Sequence, residues 1–154
     1  MKHIIEDFYK AFNDGNVEQM VSHYHDNIVF EDPAFGQLKG ERAKNMWRML
    51  RGSQKGREFN VVASAIEAND QTGKARWDAH YHFSKTGRKV HNIIHAEFEF
   101  KDGKIIKHTD TFDLHRWAKQ AMGFKGWLLG GTGFFKKKLM AQTNGLLDKF
   151  EAQR

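Results

Sequence analysis

Three polar side chains occupy positions where the alternating pattern of a strand calls for apolar ones, and these could carry chemistry. Asp32 ends a short alternating run, and His108 and Asp110 share the parity of the apolar Ile106 and Phe112 in a later one. A carboxyl group in apolar surroundings loses hydration, so its pKa rises and it can act as a base near neutral pH. Asp32 also precedes Pro33, and Asx-Pro sequences commonly form turns that bind backbone N–H groups.

His108 and Asp110 indicate a second chemical role. Imidazole can donate a hydrogen bond to a substrate carbonyl, and a nearby carboxylate favours its charged form. Two residues apart on one strand, the pair stands about 6.5–7 Å apart, which is too far for a tight contact but suits two groups that flank one ligand. Asn92, on the inward side of the preceding strand, could orient a ligand oxygen. The alternative is a satisfied buried network of these three residues without turnover.

A second polar group is predicted on the opposite face of the strands, with the members Asp78, His80, His82, His91 and His95. A two-residue turn at Thr86-Gly87 pairs His82 with His91 and Asp78 with His95. Such a cluster can bind zinc, but a wet interface between two copies of the chain explains it better, so no metal is expected. A homodimer through this face should weaken as pH falls through about 6.5, when facing imidazoles become charged.

The elements that position these residues follow from the apolar spacing. Two short helices open the chain, and between them Gly15 suits a left-handed helix stop and Asn16 an N-cap. A third helix covers residues 41 to about 51, and period-two alternation covers 59–113. Because the helices come first and a meandering antiparallel sheet second, the order predicts an α+β architecture.

The register of the last strand decides which of its residues face the interior. A three-residue loop with Gly103 in a left-handed bulge places inward Ile106, His108, Asp110 and Phe112. A two-residue Asp102-Gly103 turn reverses the parity and places inward Ile105, Lys107, Thr109 and Thr111. We favour the first alternative because its inward residues include two better core side chains.

Length and composition exclude several classes of protein. The chain of 154 residues is long enough for one domain with a single core. It contains no cysteine, which excludes disulfides, thiol nucleophiles and cysteine-type zinc sites. The sequence predicts neither a signal peptide nor a membrane span, so a cytoplasmic protein is expected.

The positive charge lies at the C-terminal end of the chain. Residues 115–154 contain eight basic and two acidic residues, which accounts for the net charge of +6 and argues against a nucleic-acid partner. A broken apolar stripe predicts a helix that docks on the domain or covers a pocket, with the members Phe135, Leu139, Leu146, Leu147 and Phe150. Adsorption to anionic lipid through Lys136–Lys138 is the less favoured interpretation.

Three segments resemble the nuclear transport factor 2-like superfamily, in particular its SnoaL-like polyketide cyclase and ketosteroid isomerase branches: FYKAFNDGNVEQMVSHYHDNIVFEDP, GRKVHN and FKDGKIIKHTDTFDLHRW. The resemblance covers roughly residues 4 to 117. It implies a cystatin-like, cone-shaped α+β barrel with N-terminal helices packed into a curved antiparallel sheet, an apolar pocket and often a homodimer. Residues 1–117 then form the SnoaL-like domain and residues 118–154 its basic helical extension.

The first segment aligns without a gap with bacterial ketosteroid isomerases, and the resemblance places their catalytic-base aspartate on Asp32. The isomerase tyrosine that donates to the oxyanion falls on Phe8, and the protonated aspartate that assists it falls on Ala96. Both donors are therefore absent, and Tyr9 is a poor substitute because it lies about 100° round the helix. SnoaL-like cyclases use an acidic residue near the pocket floor, for which Asp110 is the nearest candidate.

These observations predict a cofactor-independent isomerase or cyclase that binds a hydrophobic carbonyl compound. Asp32 would move a proton α to the carbonyl, while His108 and Asp110 polarise or protonate its oxygen. The apolar pocket is predicted to be lined by Phe8, Trp47, Trp77, Tyr81, Phe98 and Phe112. The alternative is a non-catalytic binding protein with the same pocket. An epoxide hydrolase is less favoured, because the Asp-Arg-Asp arrangement of limonene-type enzymes is not evident.

Overall fold

The computed structural model describes residues 1–154 as six helices and six strands. The helices are α1 (Lys2–Asn13), α2 (Val17–Ser22), α3 (Glu41–Ser53), α4 (Leu114–Met122), α5 (Phe124–Leu129) and α6 (Gly133–Ala152). The strands are β1 (Tyr24–Asp32), β2 (Gly36–Lys39), β3 (Phe59–Ala68), β4 (Thr72–His82), β5 (Lys89–Lys101) and β6 (Lys104–Thr111).

All six strands form one curved sheet in the order β2-β1-β6-β5-β4-β3. Neighbouring strands are antiparallel except β1 and β6, which run parallel and pair Phe30 with His108. Helices α1 and α3 cover the inner face of the sheet, as the predicted α+β cone requires. The first and last strands are therefore adjacent, although about 80 residues of chain separate them.

The opening helices form as the spacing predicts. Helix α1 buries six residues against the sheet, Ile4, Ile5, Phe8, Tyr9, Ala11 and Phe12. Gly15 takes a positive φ of 79°, which glycine adopts without a Cβ penalty. Asn16 caps α2 by accepting a hydrogen bond from the backbone N–H of Gln19. The buried arc of α1 is wider than one stripe, which brings Tyr9 inside together with Phe8.

The turn between β5 and β6 combines the two predicted alternatives. Lys101 pairs with Lys104 across a two-residue turn, in which Asp102 and Gly103 both have positive φ. A β-bulge between Glu99 and Phe100 then changes the register. The three-residue loop is therefore wrong, but the extra residue of the bulge reverses the parity again. As a result β6 directs inward Ile105, His108 and Asp110.

The hairpin between β4 and β5 is longer than predicted. Its strands end at His82 and begin again at Lys89, and these two residues pair with each other. The Phe83 N–H donates to the Arg88 carbonyl, so the loop consists of residues 84–87 and is two residues longer than a Thr-Gly turn. Because the register shifts by two residues, the residues predicted to face inward on β4 and β5 still do so. His80 now pairs with His91, which corrects the pairing of His82 with His91.

Aromatic rings fill the interior of the cone. Phe8, Trp47 and Phe98 are at most 2% exposed, and Trp77 is 8% exposed. Their rings contact further aromatic side chains with centroid distances of 4.5 to 6.4 Å, such as 5.1 Å between Phe12 and Trp47. A cavity of about 560 Å³ is a polar groove on the outer face, lined partly by Lys74, Glu97, Glu99, Lys107 and Thr109.

The three C-terminal helices close two openings of the cone. Helix α4 covers the hairpin end of the sheet, where Trp117 packs with Val90 and donates to the Tyr81 hydroxyl at 2.8 Å. Helix α6 docks on α3 through Arg42, which pairs with Asp148 and Glu151. Leu147 is fully buried, as the predicted docking helix requires. None of the helices combines the length and apolar character that crossing a membrane requires.

Candidate active site

A buried chain of hydrogen bonds runs through the interior of the cone. The Trp47 indole N–H donates to the Tyr24 hydroxyl at 2.8 Å, and that hydroxyl lies 2.7 Å from Nδ1 of His108. Nε2 of His108 lies 2.8 Å from Oδ1 of Asp110, which also accepts from the Trp77 indole at 3.3 Å. Tyr24 and His108 are completely buried and Asp110 is 3% exposed.

The chain has one consistent assignment of protons when Asp110 is ionised. The carboxylate can only accept, so Nε2 of His108 carries a proton and donates it to Asp110. Nδ1 of the neutral ring is then an acceptor, and the Tyr24 hydroxyl donates to it. Both ring nitrogens of His108 are therefore occupied by protein groups, and its ring is packed edge-on against Phe8 and Phe30.

Two sequence predictions about His108 are wrong. The pair His108 and Asp110 forms a direct hydrogen bond, because the two side chains lean along the strand and close the distance between their backbones. The favoured register also places His108 opposite the small side chain of Ala96, which would leave it room to project. In the structure Ala96 pairs with Asp110 and His108 faces Phe98, because the two-residue turn and an extra residue on β6, Ile106, together shift the register by two.

Tyr24 is a part of the site that the sequence analysis did not find. Tyr24 continues the helical spacing of Met20 and Val21, which predicts that it lies on α2, but it is the first residue of β1. A signal was present, since Tyr24, Ile28 and Phe30 share the even positions that face inward on that strand. Burial, followed by the charge of Asp110, raises the pKa of Tyr24 well above its usual value, so the hydroxyl keeps its proton.

Asp32 lies at the end of β1, where the chain turns into β2. Its Oδ1 accepts from the backbone N–H groups of Ala34 at 2.9 Å and Phe35 at 2.6 Å, which is the Asx turn predicted as one alternative. Burial raises the pKa of Asp32 to about 7, and the charge of Asp110 adds to the shift against the effect of the two backbone bonds. Both bonds go to Oδ1, which leaves Oδ2 without a protein partner.

Asp32 and Asp110 lie on adjacent parallel strands, one position beyond the registered pair Glu31 and Thr109. At the same level of the sheet, Asp110 faces Ala96, and Ala96 faces Ala75 on β4. Across the sheet from β1 to β4, this level therefore carries two carboxyl groups and then two alanines. The small side chains of Ala96 and Ala75 distinguish this level from the aromatic levels of the inner face.

Tyr9 of α1 packs above this level. Its ring lies 5.7 Å from that of Trp77 and 6.3 Å from that of Phe98, and its hydroxyl is buried without a hydrogen-bond partner. Burial, followed by the charge of Asp110, raises its pKa well above the usual value. Tyr9 thus lies inside the cone together with Phe8, because the buried arc of α1 is wide enough to include both residues.

The other predicted lining residues occupy two regions. Phe8, Trp47, Trp77 and Phe98 belong to the main core, while Tyr81 and Phe112 lie where it meets the smaller cluster around Trp117. Asn92 is 8% exposed and belongs to neither the Tyr24–His108–Asp110 chain nor any other side-chain hydrogen bond. Its amide group is thus available to a ligand between the two clusters.

The predicted dimer face carries a local ion pair. Asp78 accepts from Arg76 at 2.8 and 2.9 Å and lies 2.7 Å from Nε2 of His91. These bonds lower the pKa of Asp78, with the Arg76 bond as the largest cause. The rings of His80 and His91 stack at 4.1 Å. His95 pairs with Arg76 rather than with Asp78, and His82 with Lys89. No group of three potential ligands has metal-binding geometry.

The fold and the inward polar residues define the class of protein: an α+β cone of the nuclear transport factor 2-like type. The SnoaL-like domain family matches residues 5–108, and the chain belongs to this family. A search of the curated proteins finds no match.

Several solved structures share the fold. One, from Xanthomonas campestris pv. campestris and provisionally named a polyketide cyclase, is 19% identical with a TM-score of 0.62 and covers 77% of this chain and 93% of its own. An epoxide hydrolase of M. tuberculosis, described as LEH-like, is 24% identical with a TM-score of 0.61 and covers 83% and 89%. A protein of Bacillus subtilis, provisionally named an isomerase, is 18% identical with a TM-score of 0.61 and covers 79% and 91%.

Proposed function

We propose that the protein is a cofactor-independent enzyme that transfers a proton within a hydrophobic carbonyl compound, as an isomerase or cyclase. The observation that carries the proposal is the environment of Asp32. Its pKa of about 7 keeps a large fraction of the carboxylate ionised near neutral pH while making it a better proton acceptor than an ordinary aspartate. The free Oδ2 is the atom that would accept the proton from the carbon next to the carbonyl.

Tyr9 is the proposed donor to the carbonyl oxygen. When the C–H bond breaks, its electron pair moves into the new carbon–carbon double bond and the oxygen becomes negative. A buried hydroxyl with a raised pKa stays protonated and can donate to this oxyanion. An unpaired buried hydroxyl costs about 1–3 kcal/mol, so Tyr9 gains a partner only when a ligand is bound.

Asp110 and His108 have different roles in this proposal. Oδ1 of Asp110 is occupied by His108 and Trp77, and its Oδ2 forms no hydrogen bond within the protein. As a carboxylate, Asp110 would raise the proton affinity of Asp32. Asp32 would then return the abstracted proton to the substrate at its new position. Both ring nitrogens of His108 bond to protein groups, so neither can contact the substrate oxygen. His108 is therefore a positioning residue that fixes Asp110 and Tyr24.

Polar groups lie beside both positions where the resemblance leaves a donor absent. The ring of Phe8 stacks on that of Tyr24 at 5.4 Å, and Ala96 faces Asp110 from the next strand. The Tyr24 hydroxyl donates to His108, however, and an ionised Asp110 can only accept. Tyr9 is therefore the donor in this proposal.

A test combines ligand identification with proton exchange. Native mass spectrometry of the protein purified from its own organism would reveal a retained carbonyl compound. Exchange of the α-protons of 2-tetralone in D₂O, followed by NMR, would then measure proton abstraction directly. We expect Asp32→Asn to abolish exchange and Asp26→Asn to retain it, because Asp26 is an almost fully exposed carboxylate on the same strand. The wild-type rate should rise with pH through about 7.

The alternative is a non-catalytic protein that binds a hydrophobic small molecule. The occupied nitrogens of His108 favour it, because neither is available for a reaction step. A ligand held equally by the wild type and Asp32→Asn, without exchange in either, would establish this alternative. Epoxide hydrolysis is less supported, because neither Asp32 nor Asp110 is paired with an arginine.

A further inference from the structure

Helix α5 and the start of α6 expose a large apolar surface. Phe124 is 72% exposed, Trp127 53% and Phe134 71%, and Leu128 and Leu129 are also exposed. Monomeric proteins rarely expose so many large apolar side chains on one continuous stretch of chain, and such patches mark interaction sites. We call this stretch, residues 124–138, the apolar-basic corner.

Close packing against α4 fixes the position of α5 and of its exposed side chains. Gly126 lies so close to α4 that a Cβ would meet the Ala118 carbonyl oxygen at 1.8 Å, and His115 bonds to the Trp127 carbonyl at 2.7 Å. One side of α5 is therefore occupied by α4, and the aromatic side chains point away from it. The rings of Phe124 and Trp127 lie 5.7 Å apart, as a preformed pair.

The charge around this corner has one sign. Residues 114–147 contain six lysines and arginines and no acidic residue, and Lys125 and Lys136–Lys138 fall within the corner. All four of these lysines are exposed, and none forms a salt bridge. Clusters of lysine beside exposed aromatic side chains are typical of segments that bind anionic lipid headgroups.

We propose that the apolar-basic corner binds the surface of an anionic phospholipid bilayer. Phe124, Trp127 and Phe134 enter the interface, and the lysines contact phosphate groups. A second copy of the chain fits this face poorly, because a symmetric contact would bring lysine clusters together with no acidic residue of the corner to pair with them.

The proposed surface is also connected to the candidate active site. Helix α6 begins in the corner and reaches the loop that holds Asp32, where Thr143 donates to the Ala34 carbonyl at 2.8 Å and Asn144 to the Phe35 carbonyl at 2.9 Å. One helix therefore joins the lipid-facing surface to the loop whose N–H groups bind Asp32. The lipid proposal rests on the corner alone and does not require that Asp32 be catalytic.

Vesicle binding by the full-length protein tests the proposal. We expect a blue shift of Trp127 fluorescence and co-sedimentation with vesicles of phosphatidylcholine containing one third phosphatidylglycerol, and little of either with phosphatidylcholine alone. Trp127 is the reporter because the other three tryptophans are buried. Replacing Lys136–Lys138 with Gln should weaken binding roughly 100-fold, since each lysine near a membrane contributes about fivefold.

Two further variants separate the possible results. Lys55→Gln/Lys85→Gln/Lys89→Gln removes the same charge from exposed, unpaired lysines elsewhere and should bind as the wild type does. Phe124→Ser/Phe134→Ser, at exposed positions, should lose most of the binding with the charge intact. No wild-type binding, or equal loss in both lysine variants, overturns the proposal. Self-association that disappears in Phe124→Ser/Phe134→Ser, without vesicle binding, also overturns it and assigns the face to a second copy.

Discussion

The two faces of the sheet carry the same pair of residue types in opposite surroundings. On the inner face, His108 and Asp110 lie 2.8 Å apart and are buried; on the outer face, His91 and Asp78 lie 2.7 Å apart, and 38% of the His91 side chain is exposed. The inner pair bonds to Tyr24 and Trp77, whereas the outer pair bonds to an arginine and borders water. The two pairs have nearly equal distances, but removing one partner should cost much more free energy of unfolding in the buried pair than in the exposed one.

The largest effect is expected on the inner face. Asp110→Ala leaves the His108 and Trp77 N–H groups without an acceptor, and breaking a buried pair costs about 3–5 kcal/mol. Chemical denaturation with a fluorescence readout measures the loss. The matched variant Asp78→Ala on the outer face should cost about 1 kcal/mol or less. Equal losses in the two variants would mean that burial does not distinguish the faces. If Asp110→Ala does not fold, Tyr24→Phe gives a smaller loss in the same direction.

Asp32→Asn should stabilise the protein while removing its proposed activity. The folded-state pKa of about 7 lies above the unfolded value, so stability from protonated Asp32 is present below about pH 4 and lost as pH rises through 7. The neutral amide avoids this loss and retains an oxygen for the two backbone N–H groups. We expect a gain of about 2 kcal/mol at pH 8 that disappears near pH 4. Thermal melts at both pH values check the sign, and a loss at pH 8 would contradict it.

Tyr9→Phe removes a buried hydroxyl that has no partner. Without ligand, the variant should be more stable by about 1 kcal/mol, since the desolvated group is gone. Proton exchange should nevertheless fall by about 10²–10³-fold if the hydroxyl is the oxyanion donor. Tyr81→Phe is the control, because the Tyr81 hydroxyl already has a partner in the Trp117 indole N–H and has no part in the proposed proton transfer. A Tyr9→Phe variant with full exchange activity would remove Tyr9 from the mechanism.

The smallest effect is expected at Asp78 and depends on pH. Its folded-state pKa is lowered, so its contribution is present above about pH 4 and lost as pH falls through the folded value. Asp78→Asn should cost about 1 kcal/mol at pH 7 and progressively less below pH 4. Size-exclusion chromatography with light scattering on the same samples tests whether this face also forms the proposed homodimer. A cost that stays constant with pH would contradict the ion-pair explanation.

The inner face was largely predictable from parity, whereas its register was not. Alternation placed His108 and Asp110 inward, and helical spacing placed the opening helices. The bulge between Glu99 and Phe100 has no signal in the pattern of apolar residues. A two-residue turn alone would turn the apolar side of β6 outward, and the bulge restores it to the inner face. The direct bond between His108 and Asp110 escaped prediction because strand spacing describes backbones and not the directions of side chains.

The parallel pairing of β1 with β6 determines when the candidate site can exist during synthesis. Tyr24 meets a partner 84 residues further along the chain, and Asp32 meets Asp110 across the same pair of strands. A nascent chain that has emerged only as far as β5 can pack Trp47 against Tyr24, but the edge of β1 beside them stays open. Loop closure over such a distance is slow, so the candidate site forms after the helices and the long hairpins. Until then, the unpaired edge of β1 is the place where a ribosome-bound chain is most exposed to pairing with another strand.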